Sequence, residues 1–218
     1  MGEYWKRNKW TMLITSVVIL LPILVGIFVW DTLPTELPYH WNVRGEVDNW
    51  VSRGTAVFLM PCVLLAFQWL CFLLSALDPK QKNVKDKPLR MVLWIIPVLN
   101  ILLNVIVYLT ALGQELDVAA LLSLFMGALF VVIGNYLPKC RQSYTMGIKL
   151  PWTLHDEENW NATHRMAGKL WLGGGLLTMA CALLPPVAMT IVMLTILVVM
   201  VAVPTVYSYR FYKKKQDK

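Results

Sequence analysis

Side chains capable of chemistry are few in this chain, and they fall in two short polar stretches. In the longer, 134–171, His164 follows Glu157 and Glu158 by seven and six positions. A histidine beside carboxylates supplies the parts of a metal site or of a general acid–base pair. The shorter stretch, 37–50, sets His40 near Asp48, with Arg44 and Arg53 as competing partners for that acid. Neither has the H-E-x-x-H spacing that places two imidazoles on one helix face. The four cysteines form no C-x-x-C pair: Cys62, Cys71 and Cys181 fall in apolar runs, and Cys140 in a polar loop. The expectation is therefore no catalysis, no metal and no cofactor, with a membrane enzyme centred on His164 kept as an alternative.

Everything around these stretches is apolar wall. The 218 residues are 57% hydrophobic, with a mean hydropathy of +0.56. Six uncharged or nearly uncharged runs approach the roughly 20 residues that a helix needs to cross a bilayer: 11–30, 55–77, 91–112, 118–137, 166–184 and 187–209. Helix is expected for each, because an isolated segment in lipid must satisfy its own backbone hydrogen bonds. Pro185 and Pro186 separate the last two and force a tight reversal. The fold expected is all-α: a single polytopic membrane domain over 1–218, with lipid as its surroundings. The first run is long for a signal peptide and no small-x-small cleavage site follows it, so it reads as a retained span.

Charge sets the orientation. Of the 20 Lys and Arg, three precede the first span, five lie between the second and third, five around the fourth loop and five in the tail. Only Arg44 and Arg53 lie on the other side. The positive-inside rule then puts both termini in the cytoplasm, with 31–53 as an external loop and 138–165 as a cytoplasmic one. The net charge of +7 thus marks topology, and no direct nucleic-acid binding is expected. None of the 13 Asp and Glu lies inside a span, which argues against a proton-coupled pump. Asn100 and Asn104, one turn apart, read as interhelical hydrogen-bonding residues in preference to a polar path.

In the external loop, Pro34 and Pro38 keep the chain extended and Gly45 is a turn residue. Trp30 reads as an interfacial anchor, and Trp41 and Trp50 as anchors or as parts of an outward surface. A small folded knob, or a helix lying in the interface, would present aromatic and acidic groups suited to a hydrophobic or cationic peptide. In the cytoplasmic loop, Pro138 ends the fourth helix, and Gly147 and Pro151 interrupt the chain beyond it. Thr153 is then placed as the N-cap of a new helix, with Asp156 at its third position in a capping-box-like arrangement. Asp156, Glu157 and Glu158 suit the positive end of that helix, which runs on into the fifth span.

The two stretches together resemble the SdpI family of bacterial membrane proteins, which give immunity to a secreted, sporulation-delaying toxin peptide. LPYHWNVRGEVDNW looks like that family's LP-x-HWN-x-x-G-x-x-D-x-W signature, and GNYLPK…GIKLPWTL…E-x-x-W-x-x-THR-x-AG-x-x-W looks like its C-terminal one. Two positions depart from the pattern: Ser143 stands where Asn is expected and Lys149 where Arg is expected. The resemblance implies residence in the bacterial cytoplasmic membrane, protection against a hydrophobic antimicrobial peptide, and recruitment of a cytoplasmic autorepressor when toxin is engaged. It assigns toxin sensing to His40, Trp41, Asn42, Gly45, Asp48 and Trp50. It assigns a signalling or structural role to Asn135, Pro138, Gly147, Pro151, Trp152, Thr153, Glu158, Trp160, Thr163, His164, Arg165, Gly168 and Trp171. A small transporter or exporter of peptides or lipids is the other class to weigh.

Overall fold

A computed structural model describes residues 2–79 and 86–217. Lys80, Lys82 and Lys85, which contribute to the charge reading of the second loop, lie outside the described residues, as does Lys218. Among the described residues, seven α-helices and one hairpin run in the order α1 (Gly2–Phe28), β1 (Glu36–Trp41), β2 (Val47–Ser52), α2 (Met60–Ala76), α3 (Asp86–Ala111), α4 (Val118–Tyr136), α5 (Pro151–His155), α6 (Glu157–Ala180) and α7 (Pro186–Gln216). Six helices are long and apolar enough to cross a membrane, so the chain is a multi-pass membrane protein. Several of these helices outrun the apolar runs. α1 begins at Gly2, α6 at Glu157, and α7 continues to Gln216. Apolar length measures what lipid requires, whereas a helix continues into water while nothing breaks it. One element is not helical: the loop expected as a knob or interface helix contains an antiparallel hairpin.

By packing, the chain divides into two compact units. The first comprises residues 1–77 and 89–118, and α1 is its spine. Gln68 Nε2 donates to Thr15 Oγ1 at 2.7 Å, and Trp69 Nε1 to Ser16 Oγ at 3.2 Å, holding α2. Asn100 Nδ2 donates to the Ile19 carbonyl at 2.8 Å and the Tyr108 hydroxyl to that of Pro22 at 3.0 Å, holding α3. Asn104 in turn donates to Asn100 Oδ1 at 2.9 Å. Asn100 therefore ties α3 to α1, as expected, whereas Asn104 bonds within α3 and supports Asn100. In lipid such bonds are modest individually, about 1 kcal/mol, but they fix which faces meet. Under the hairpin, Leu33, Leu37, Ala56, Val57, Val107 and Tyr108 form a buried apolar cluster.

The second unit comprises 78–88 and 119–218, and here α4 and α6 run antiparallel with their backbones in near contact. Gly127 and Gly134 on α4 are seven residues apart, as are Gly168 and Gly175 on α6. A Cβ on Gly127 would lie 2.6 Å from the Gly175 oxygen, and one on Gly134 2.6 Å from the Leu172 nitrogen. Ser123 Oγ donates to the Thr178 carbonyl at 2.6 Å along the same seam. Without a hydrophobic driving force in lipid, close approach through small residues is how spanning helices gain dispersion contacts. Of these glycines, sequence reasoning singled out only Gly168. α6 also meets α7, where Trp171 Nε1 donates to the Met200 carbonyl at 3.2 Å, while Phe130 of α4 packs edge-on to the same Trp171 ring.

Candidate functional sites: the hairpin and the motif loop

The hairpin closes on Asn42. Its Oδ1 accepts the N–H groups of Arg44 (2.8 Å) and Glu46 (3.1 Å), while its Nδ2 reaches Glu46 Oε2 at 3.0 Å. A side-chain carbonyl bonding its own turn is the reason asparagine favours such positions. Gly45 completes the turn with φ +81°, a conformation strained for any residue with a Cβ. Strand pairing runs from Glu36↔Ser52 to Trp41↔Val47, with irregular register either side of His40. Arg53 clamps the base: its guanidinium donates to the carbonyls of Trp30 (2.6 Å) and Leu33 (3.0 Å) and lies over the Trp30 ring.

With Arg53 so engaged, Asp48 pairs with His40, Oδ1 to Nδ1 at 2.6 Å, on the open face. Trp41 is half-buried against the cluster beneath the hairpin, whereas Trp50 is 50% exposed. Tyr39 and Val43 are exposed as well. The six residues assigned to sensing thus separate by geometry. Asn42 and Gly45 shape the turn, Trp41 packs inward, and His40, Asp48 and Trp50 face out.

The motif loop is built around a carboxylate that the sequence did not single out. Asp78, buried, places one oxygen where four donors converge: Ser143 Oγ (2.7 Å), Thr145 Oγ1 (2.9 Å) and the N–H groups of Tyr144 and Thr145 (3.0 Å each). Ser143, a departure from the family pattern, is one of these donors. Charge-assisted bonds of this kind are the strong ones. The chain then turns at Gly147, φ +110°, where a Cβ would meet His164 Nε2 and the Trp160 ring at 2.6 and 2.7 Å.

His164 and Trp160 stack at 4.0 Å. Ile148 N–H donates to His164 Nε2 at 2.9 Å, so the ring proton sits on Nδ1 and is given to the Trp160 carbonyl at 2.8 Å. Both nitrogens are committed to backbone, and His164 is buried whereas Glu157 and Glu158 are exposed. It is a pin between loop and helix. Trp160 Nε1 adds a bond to the Cys140 carbonyl at 2.9 Å, and burial raises the Cys140 thiol pKa above its ordinary value. Among the described residues no three His, Cys, Asp or Glu side chains gather to hold a metal ion.

The helix start differs from expectation. Thr153 is not an N-cap: it occupies the third position of the short α5, fully buried. Its Oγ1 accepts from Leu150 N–H at 2.9 Å and lies within donor reach of the Ile148 and Leu150 carbonyls. Pro151 starts that single turn two residues earlier, because proline suits a first helical position. Asp156 is the true N-cap of α6, accepting from the N–H groups of Glu158 (3.0 Å) and Asn159 (3.4 Å). Lys215 from the end of α7 bridges Asp156 (2.9 Å) and Glu158 (3.1 Å). Burial disfavours the Asp156 carboxylate, but the bonds from Lys215 and the two N–H groups outweigh it and hold its pKa below the ordinary range.

The same end of α7 meets Trp152, whose Nε1 donates to Ser208 Oγ at 2.8 Å and whose ring packs on Tyr209 and Tyr212. Asn159 Nδ2 donates to the Ser208 carbonyl at 2.9 Å, and Thr163 Oγ1 to Asn159 Oδ1 at 3.0 Å. Pro138 packs against Gly168, and Asn135 Oδ1 accepts from Lys139. Arg165 alone among the assigned motif residues on α6 between Trp160 and Gly168 is exposed. Sequence reasoning missed Asp78, Asn159 and Ser208.

Comparison with known proteins matches this division. Residues 139–208 match the SdpI/YfhL protein family, covering α5, α6 and most of α7. Residues 17–65 match a domain of unknown function, DUF1648, which takes in the hairpin. Along its length the chain is 25% identical, over 207 residues, to the immunity protein SdpI of Bacillus subtilis (strain 168), covering 93% of this chain and 96% of that one. No solved structure matches. The family match thus takes in most of the second motif, the first motif falls in the DUF1648 match, and the likeness to the Bacillus subtilis protein spans nearly the whole chain.

Proposed function

We propose that this is an SdpI-like immunity protein of the bacterial cytoplasmic membrane, protecting the cell against a secreted hydrophobic antimicrobial peptide. The observation that carries the reading is the end-to-end likeness to a protein named for immunity. The charge distribution supports an orientation with both termini in the cytoplasm and the hairpin outside. On that orientation His40, Asp48 and Trp50 face the medium from which a toxin arrives, and Trp50 offers an apolar ring for it. The motif loop and the end of α7 face the cytoplasm, where an autorepressor would be recruited. The protein acts by binding and not by catalysis; the commitment of both His164 nitrogens to backbone supports this.

Survival tests the reading. The chain is expressed in a sensitive bacterium and challenged with a sporulation-delaying-type toxin peptide, alongside a Trp50→Ala variant at matched membrane abundance. Protection by the parent and its loss in the variant is the expected result. A parent that confers no survival at full abundance overturns the proposed function. Protection by both moves toxin sensing away from the hairpin.

A further inference from the structure

Arg165 and Lys169 stand one turn apart on α6 and are both exposed. Residues at i and i+4 share a helix face, and the next position along that face is Gly173. Beyond Lys169 the surface between α6 and α7 opens into a groove of about 390 Å³, lined by Lys169, Gly173 and Leu177 and by Ile196, Val199 and Met200. Gly173 keeps it open: a Cβ there would meet nothing within 4 Å.

The charge-free stretch after Lys169, residues 170–184, falls short of the roughly 20 residues that a bilayer demands. Lys169 therefore lies where α6 passes from headgroups into hydrocarbon, with its ammonium reaching back toward the headgroup layer. Among the described residues neither Arg165 nor Lys169 has an acidic partner. This contrasts with Lys215, which has two. Two cations at the lipid boundary, without a counter-ion among the described residues, sit at the mouth of an apolar groove that runs into the membrane.

We propose that this groove is a binding site for an anionic phospholipid, with the phosphate held between Arg165 and Lys169 and an acyl chain lying along Gly173 between α6 and α7. The head needs a negative charge and the tail needs an unbranched apolar chain, and one lipid supplies both. Charge complementarity at the mouth separates this occupant from a neutral lipid, which fits the groove alone. The site is independent of toxin binding, and its failure leaves the immunity reading untouched.

Purified protein in neutral detergent is exchanged with phosphatidylglycerol or with phosphatidylcholine of the same chains, and the lipid retained is measured by native mass spectrometry. Retention is expected to favour phosphatidylglycerol and to weaken about fivefold for each of Arg165→Gln and Lys169→Gln. Gly173→Leu, which fills the groove without a backbone clash, is expected to abolish it. A Lys213→Gln/Lys214→Gln tail variant is expected to retain lipid as the parent does. Equal retention of both lipids overturns the proposal, as does a tail variant that loses lipid as readily as Lys169→Gln. Discrete lipid-free dimers would assign the face to a second copy of the chain instead. Should Gly173→Leu not fold, the two charge variants decide the matter by themselves.

Discussion

The hairpin and the motif loop carry similar residues, a histidine, acids and tryptophans, yet put them to opposite uses. On the outer face of the hairpin, polar side chains bond to one another: His40 to Asp48, and Asn42 Nδ2 to Glu46. In the motif loop they bond inward to backbone, as His164 does to Ile148 and Trp160, and Asn159 to Ser208. A polar side chain buried on backbone fixes the fold, because removing it strands a desolvated partner. One that bonds to its exposed neighbour leaves the fold little changed when removed and is free to meet a ligand. The same residue types are thus no guide to function until their partners are known.

Substitutions sharpen or break that contrast. The largest effect is expected at the glycine seam of the motif unit. Gly134→Leu drives a side chain into the Leu172 backbone and exceeds the roughly 1–3 kcal/mol of ordinary overpacking; no monodisperse protein should elute after detergent extraction. Next comes Asp78→Ala, which strands four donors. A destabilisation of about 2–4 kcal/mol is expected, read as a lowered thermal midpoint, with Asp78→Asn intermediate. A normal midpoint for Asp78→Ala would deny the motif loop its structural role.

Lys215→Ala should have a smaller effect, and one that depends on pH. The Asp156 carboxylate has a folded-state pKa below its ordinary 3.8, so the stability it contributes is present above that value and is lost as pH falls through the folded pKa. The gap in thermal midpoint between parent and Lys215→Ala should therefore hold at neutral pH and close in acid. The smallest effect on stability, within about 0.5 kcal/mol, is expected for Trp50→Ala on the hairpin. A hairpin variant that unfolds the protein would erase the distinction between the two regions.

The six spans were legible because apolar run length is a one-dimensional property. The hairpin was half legible: Pro34 and Pro38 announced extended chain and Gly45 a turn, but Tyr39, His40 and Trp41 suit an interfacial helix as well as a strand. Thr153 and Asp156 were exchanged in role because both types cap helices; the decision fell to Pro151, which starts α5 before Thr153 can cap anything. Asp78 was out of reach, since its partner Ser143 lies 65 residues away. The seam glycines were visible at their spacing of seven, yet nothing in a single chain says which helix faces which. Local chemistry is written in neighbouring residues, and long-range pairing is not.

The glycine seam also has a mechanical meaning. Side chains give a helix pair room to adjust by changing rotamer, and a backbone-to-backbone contact has no rotamers to change. α4 and α6 therefore behave as one stiff plate. α7 is joined to that plate differently, by Met200, by aromatic rings and by the Lys215 bridge at its end. Within this half of the molecule the contacts that rotamers can adjust are those of α7, and Lys215 is the tie nearest its end.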